Sequence, residues 1–217
     1  MTTYPRWPHT LKAGIVLLDP VTTQISRVIV MQYNPDQLTR TLQVQAATGD
    51  AGERVEALRL KGPPIEIFKL ETEIDATDQL EHPDQNTTAV AVGIFPQLAA
   101  LESLITPSAD QIALADGMLR AGSVEIAPVE APLALFIWST QRVVPVRVTE
   151  FSITEEAFDV SLNPIRARVS LSMRVLSIAD LGFGHPGGKL FMAYLRNKES
   201  LAKRLPGGTL QQLGFLR

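Results

Sequence analysis

Residues Ile165 to Val175 read IRARVSLSMRV, a strict alternation in which Ile165, Ala167, Val169, Leu171, Met173 and Val175 are apolar while Arg166, Arg168, Ser170, Ser172 and Arg174 are polar. Successive side chains of a strand point to opposite faces, so this period of two specifies one strand with a dry face and a wet face. At about 3.3 Å per residue the strand spans roughly 35 Å, long for a globular protein. A fold that contains it must be β-rich, must supply a core for the dry face, and must find a use for the arginines on the wet one.

The rest of the chain reads in the same way. Leu11 to Leu18 and Ile25 to Tyr33 are rich in β-branched residues and are separated by the turn formers DPVTTQ, which predicts a hairpin. Asn34-Pro35-Asp36 breaks the ladder, and Leu38 to Val44 alternates again. Ala46 to Arg54 is expected to be a polar, mobile loop. In Ile65 to Asp75, Phe68, Leu70, Thr72 and Ile74 share one face, and Lys69, Glu71, Glu73 and Asp75 share the other. Ile65 and Ile67 lie in the opposite phase, which predicts a bulge near Ile67-Phe68. After a polar connection over Asp78 to Thr88, Pro96 to Ile105 has the composition and the terminal prolines of a helix. Residues 106–132 are read as a loop or insert that could include a short helix. Leu133 to Trp138 and Val143 to Ile153 are strands joined by the turn STQR, the second with a bulge at Thr149-Glu150. Thr154 to Asn163 is read as the link to the long strand, and Phe191 to Leu205 as a helix ended by Pro206-Gly207-Gly208. The sum is a mainly β (α+β) fold, a barrel or sandwich flanked by one helix with a second at the C-terminus. Residues 1–178 form the β domain, and 179–217 form a glycine-rich joint, helix and tail.

Composition narrows the function. A net charge of −3 argues against general nucleic-acid binding, and 45% hydrophobic with 20% charged residues marks a globular chain. No apolar run reaches the 18 or so residues of a membrane span, and MTTYPRWPHTLK lacks the layout of a signal peptide. Without cysteine there is neither disulfide nor thiolate chemistry. Gly182, Gly184 and Gly187 match GxGxxG, but the preceding strand ends near Leu176 and Pro186 removes an amide that a phosphate would use; a flexible joint is expected instead. His9, His82 and His185 lie in separate proline-flanked segments without metal-ligand spacing. Glu155, Glu156 and Asp159 form an acidic cluster read as a capped turn between strands in preference to a metal or glycosidase site. No catalytic, cofactor-binding or metal-binding residues are expected.

Several segments together resemble the tube-type proteins of contractile injection systems, phage-tail-like particles with a sheath, an inner tube and a baseplate. They are MQYNPDQLTR (31–40), GPPIEIFKLETEID (62–75), PQLAALESLI (96–105) and, most specifically, PVRVTEFSITEEAFDVSLNPIRARVSLSMRVL (145–176). The matching positions include Tyr33, Asn34, Pro35, Gly62, Pro63, Asp75, Ser152, Thr154, Glu155, Glu156, Phe158, Asp159, Leu162, Asn163, Pro164, Arg166 and Ala167, with Arg168 and Leu171 in the strand that follows. The resemblance implies a tail-tube-like fold and a structural role. Copies would form a homohexameric ring that initiates the inner tube on the baseplate, with the tube protein, spike hub and other baseplate proteins as partners. It implies assembly in the cytoplasm within a contractile particle. Many relatives carry a LysM module after this domain; here a helix and short tail stand in its place, so a LysM-less variant is expected. A bulk inner-tube subunit and a small-molecule-binding β-barrel remain as alternatives. The arginine row would face the lumen, a subunit seam or solvent. Its charges are opposite in sign to Glu71, Glu73 and Asp75, which predicts that the two polar strand faces meet.

Overall fold

The computed structural model describes residues 11–19, 22–46, 59–120, 131–208 and 212. Seven strands form one antiparallel sheet: β1 (Gly14–Leu18), β2 (Ile25–Val30), β3 (Leu38–Gln43), β4 (Ile65–Asp75), β5 (Leu133–Ser139), β6 (Arg142–Phe158) and β7 (Pro164–Val175). Their spatial order is β2–β1–β5–β6–β7–β4–β3. The mainly β, α+β class is as expected, but the barrel is corrected to an open sheet. Closure would require β2 to pair with β3, and each forms an edge instead. Coiling nevertheless brings the β2 end of the sheet back over β4. Gln32, just after β2, donates to the Asp75 carbonyl at 2.6 Å and accepts from the Asp75 amide at 3.0 Å, and Thr72 Oγ1 donates to the Tyr33 carbonyl at 3.3 Å.

The dry face of β7 is the middle of the core. Ala167, Val169, Leu171, Met173 and Val175 are all buried, together with Phe68 and Leu70 of β4, Phe136 of β5, and Val144 and Val146 of β6. Phe68 and Phe136 pack with ring centroids 5.5 Å apart. Helix α3 (Phe95–Glu102) adds Leu98 and Leu101 to this cluster, and helix α6 (Pro186–Ala202) adds Phe191 and Tyr194.

Three expectations are revised by tertiary context. The bulge near Ile67-Phe68 is absent: β4 pairs with both β3 and β7 in unbroken register, and the alternation continues inward through Glu66, which is buried. The bulge at Thr149 is present, where the β6–β7 register shifts between Val148 and Glu150. The segment TEEAF is strand and not linker, so β6 runs to Phe158 and the connection to β7 shrinks to 159–163. The polar connection after β4 contains α1 (Thr77–Leu80), a 3-10 turn (Pro83–Gln85) and α2 (Thr87–Val92). Within 106–132 a helix, α4 (Ala109–Arg120), forms with no buried residue, and 121–130 lie outside the described residues. Of the loop expected at 46–54 only Ala46 is described, bridging to Leu60.

The glycine-rich joint is packed. After a short helix α5 (Ile178–Leu181), capped by Ser177 and Asp180, the chain turns into α6 five residues earlier than the sequence suggested. His185 is the N-cap, its Nδ1 accepting the Gly187 amide at 3.0 Å, and Pro186 takes the first helical position, which needs no amide donor. Gly188 is buried so closely against the Gly182 carbonyl that any Cβ there would collide with it. No helix among the described residues is long and apolar enough to cross a membrane.

Candidate assembly surface

The wet face of the sheet carries the arginine row. In the β4–β7 ladder Asp75 stands opposite Arg166 and Glu73 opposite Arg168. Arg166 Nε lies 2.7 Å from Asp75 Oδ2 and 3.4 Å from Glu73 Oε1. Arg168 leans along the diagonal, its Nε 3.1 Å from Glu71 Oε1, while its Nη2 reaches Glu156 of β6 at 3.2 Å. The predicted meeting of the two polar faces therefore occurs within one chain, and β6 joins it. Lys69 spans from β4 to Glu150 of β6 at 3.3 Å, over Ser172, whose hydroxyl donates to the same carboxylate at 2.9 Å. Arg174 departs from the pattern: it faces Ile67 and turns to Asp180 of α5 at 2.7 Å. Half-exposed pairs of this kind contribute only about 0.2–1 kcal/mol each, so their main effect is to hold three strands in one register. Replacing Arg168 by Glu sets a fourth carboxylate among Glu71, Glu73 and Glu156. It should lower stability by about 1 kcal/mol in urea unfolding, and adding Glu71→Arg should recover part of that loss. Additive effects of the two substitutions would show that the pair contributes nothing.

Asp75 also holds the junction after β4. Its carboxylate accepts from the Thr77 amide at 2.7 Å and from the Thr77 hydroxyl. Burial pushes this carboxyl upward, but the Thr77 and Arg166 hydrogen bonds outweigh burial and hold it below its usual 3.8. Asp159 builds the tip of the β6–β7 hairpin: Oδ1 accepts from Ser161 and Asn163 amides at 2.7 and 2.8 Å, and Oδ2 from the Asn163 side chain at 2.8 Å. Those bonds, the Asn163 side chain foremost, lower its pKa too. Asp159 thus caps the turn as expected, whereas Glu155 and Glu156 belong to the strand. Asn163 donates to the Ala91 carbonyl at 3.3 Å, and the carbonyl of buried Pro164 receives the Ile94 amide at 2.9 Å, which pins α2 and α3 to the hairpin.

The other motif positions are structural. Asn34 accepts from the Ala13 amide at 2.9 Å and donates to the Leu11 carbonyl at 2.8 Å, fastening the chain beyond β2 to the start of β1. Tyr33 contributes its carbonyl to Thr72 and leaves its ring half exposed. Pro35 follows in the turn to β3, and Gly62 and Pro63 turn the chain into β4. Phe158 is half exposed at the hairpin tip, and Leu171 is buried at the centre. His82 is an exposed residue before the 3-10 turn, His185 is the helix cap already described, and His9 lies outside the described residues.

One group escaped sequence reading. Glu66, 3% exposed, accepts from the Tyr194 hydroxyl at 2.8 Å and from Lys198 Nζ at 3.1 Å, with Arg40 Nε at 3.5 Å. The cluster ties α6 to β4. Burial, reinforced by the bond to Glu66, pushes the Tyr194 hydroxyl up to about 12. Its signal in the sequence is phase: Glu66 falls on the same side of the strand as Phe68, Leu70 and Ile74.

No known family profile matches the chain, and no curated protein matches it. Among solved structures it is similar to a chain from the tail of an empty GTA particle with C6 symmetry, at 12% identity over 76% of this chain and 90% of that one. The TM-score of that pair is 0.30, too low to bear on fold or function.

Proposed function

We propose that this protein is a non-catalytic structural subunit of a contractile injection system, a homohexameric ring that initiates the inner tube between spike hub and repeating tube protein. The observation that carries the reading is the open sheet. Neither β2 nor β3 pairs with a further strand on its outer side among the described residues, and Ile25, Val28 and Val30 of β2 are exposed. Unpaired edges that expose apolar side chains are normally blunted or covered. Two different edges on one subunit suit a head-to-tail contact, and a head-to-tail contact that closes makes a ring. The likeness of residues 145–176 to tube-type proteins supplies the particle, with assembly in the cytoplasm and baseplate proteins as neighbours. The inward Leu171 row and the internally neutralised wet face leave the edges as the surface for lateral contact.

Electron microscopy of the parent particle tests this directly: one sixfold layer per particle is the expected result, and many layers would make the chain a bulk tube subunit. Val28→Lys combined with Val30→Lys should remove the ring while leaving the melting temperature within a few degrees, because exposed edge lysines oppose strand addition. A ring of another symmetry, or unaltered rings from the double lysine variant, would overturn the assignment.

A further inference from the structure

The sheet leaves a cavity where it fails to close. Strand β2 forms one wall, Thr72 and Ile74 of β4 stand across from it, and α3 covers the space with Pro96, Gln97 and Ala100. No strand fills the gap between β2 and β4, because β2 pairs with β1 alone. The cavity has a volume of about 290 Å³, and its floor reaches the core at Ile15, Leu101 and Leu171. An apolar cavity of roughly 150 Å³ holds one benzene ring, so this one has room for two fused rings.

The chemistry of the lining is narrow. No charged side chain lines the cavity among the described residues, so an ionised occupant would lose its hydration without a counter-charge. Three polar side chains reach it. Gln32 is committed to the backbone of Asp75, and the Thr72 hydroxyl donates to the Tyr33 carbonyl. The third, Gln97, lies one turn before Leu101 on the same side of α3, and its Oε1 is buried with no hydrogen-bond partner among the described residues. Native proteins leave few buried acceptors in that state, since each costs the desolvation of the group. A water is a poor remedy: ordered waters take about two to four polar partners, and here Gln97 alone is free. The terminal torsion of a glutamine is soft, so its amide can turn toward an occupant.

We propose that this cavity is a binding site for a neutral, largely apolar molecule of about two fused rings that carries one hydrogen-bond donor, an N–H or O–H directed at Gln97 Oε1. Apolar walls supply the affinity, the single acceptor fixes the orientation, and the absence of lining charge rejects carboxylates and amines. Binding is a property of the single chain and goes beyond the ring reading, so either can fail without the other.

Equilibrium dialysis of the purified protein against three compounds that share one body is the test: 2-naphthol, naphthalene and ionised 2-naphthoate. 2-Naphthol should saturate one site per chain and bind about five- to tenfold more tightly than naphthalene, the effect of one net hydrogen bond. 2-Naphthoate should bind at least about tenfold more weakly than 2-naphthol. Gln97→Leu should bring 2-naphthol and naphthalene within about twofold of each other, and Ala100→Phe, which fills the space, should abolish binding of both; each variant is read at a temperature where it melts cooperatively. No saturable binding by wild type, equal affinity for naphthalene and 2-naphthol, or a preference that survives Gln97→Leu would each overturn the proposal. An Ala100→Phe variant that loses self-association while wild type ignores all three probes would overturn it too, and would give the cavity to a side chain of a second copy.

Discussion

Replacing Leu171 by Asp is expected to leave no folded protein. The side chain is 1% exposed, opposite Leu70 on β4 and Phe151 on β6, in the middle of the dry face. Removing the leucine forfeits about 1.5–3 kcal/mol of apolar burial. The carboxylate that replaces it has no partner on that face and adds several kcal/mol more, whether it is buried charged or neutralised by taking up a proton. Together these approach the whole stability of an ordinary domain, about 5–15 kcal/mol. Circular dichroism and size exclusion should show an unfolded or aggregated chain. Two companions keep the test informative. Leu171→Ala should fold but lose about 2–5 kcal/mol, and Ser170→Asp, one residue away on the wet face, should change stability by less than about 1 kcal/mol. A cooperative, near-native melt for Leu171→Asp would mean that the two faces of β7 have been assigned backwards.

The same strand shows what was legible. A period of two in β7, with charges only on alternate positions, was enough to place its core face and to pair Arg166 and Arg168, though not Arg174, with the β4 carboxylates, because cross-strand contact depends on parity and sign. Where parity was broken by a polar residue in a core position, reading failed. Glu66 continues the inward phase of Phe68 and Leu70, but its acceptability depends on Tyr194 and Lys198, far along the chain. A bulge was the local explanation for what is a long-range hydrogen bond. The acidic segment TEEAF looked like linker for a similar reason: Glu156 is tolerated in strand because Arg168 answers it from the adjacent strand. Gly187 and Gly188 fall in the segment read as a flexible joint, yet they are buried where α5 and α6 approach too closely for side chains. The open sheet in place of a closed barrel is a property of edges, and pattern within one chain carries no information about what an edge meets. Of the candidate surface, the motif from Glu155 to Pro164 was visible in sequence; its anchoring of α2 and α3 through Asn163 and Pro164 was not, because those helices reach the hairpin only through tertiary contacts.

The second large effect is expected at Gly93, which joins the hairpin tip to the rest of the fold. The residue lies at φ 59, ψ −135, a region that residues with a side chain rarely enter. A Cβ there would also run into the carbonyl of Pro164, the acceptor that anchors the Ile94 amide. Gly93→Ala therefore combines a backbone strain of about 1–2 kcal/mol with a steric clash costing about 1–3 kcal/mol. The cheapest relief is to pull the α2–α3 corner away from β7, which breaks the Ile94–Pro164 bond and loosens the contact of Asn163 with Ala91. The expected loss is about 3 kcal/mol in chemical unfolding. Hydrogen exchange should then accelerate at Ile94 and the adjacent turn of α3, while the central amides of β7 slow or quicken only with global stability. Unchanged stability for Gly93→Ala would mean that the corner accommodates a side chain without cost, and that α2 is not clamped to the hairpin as described.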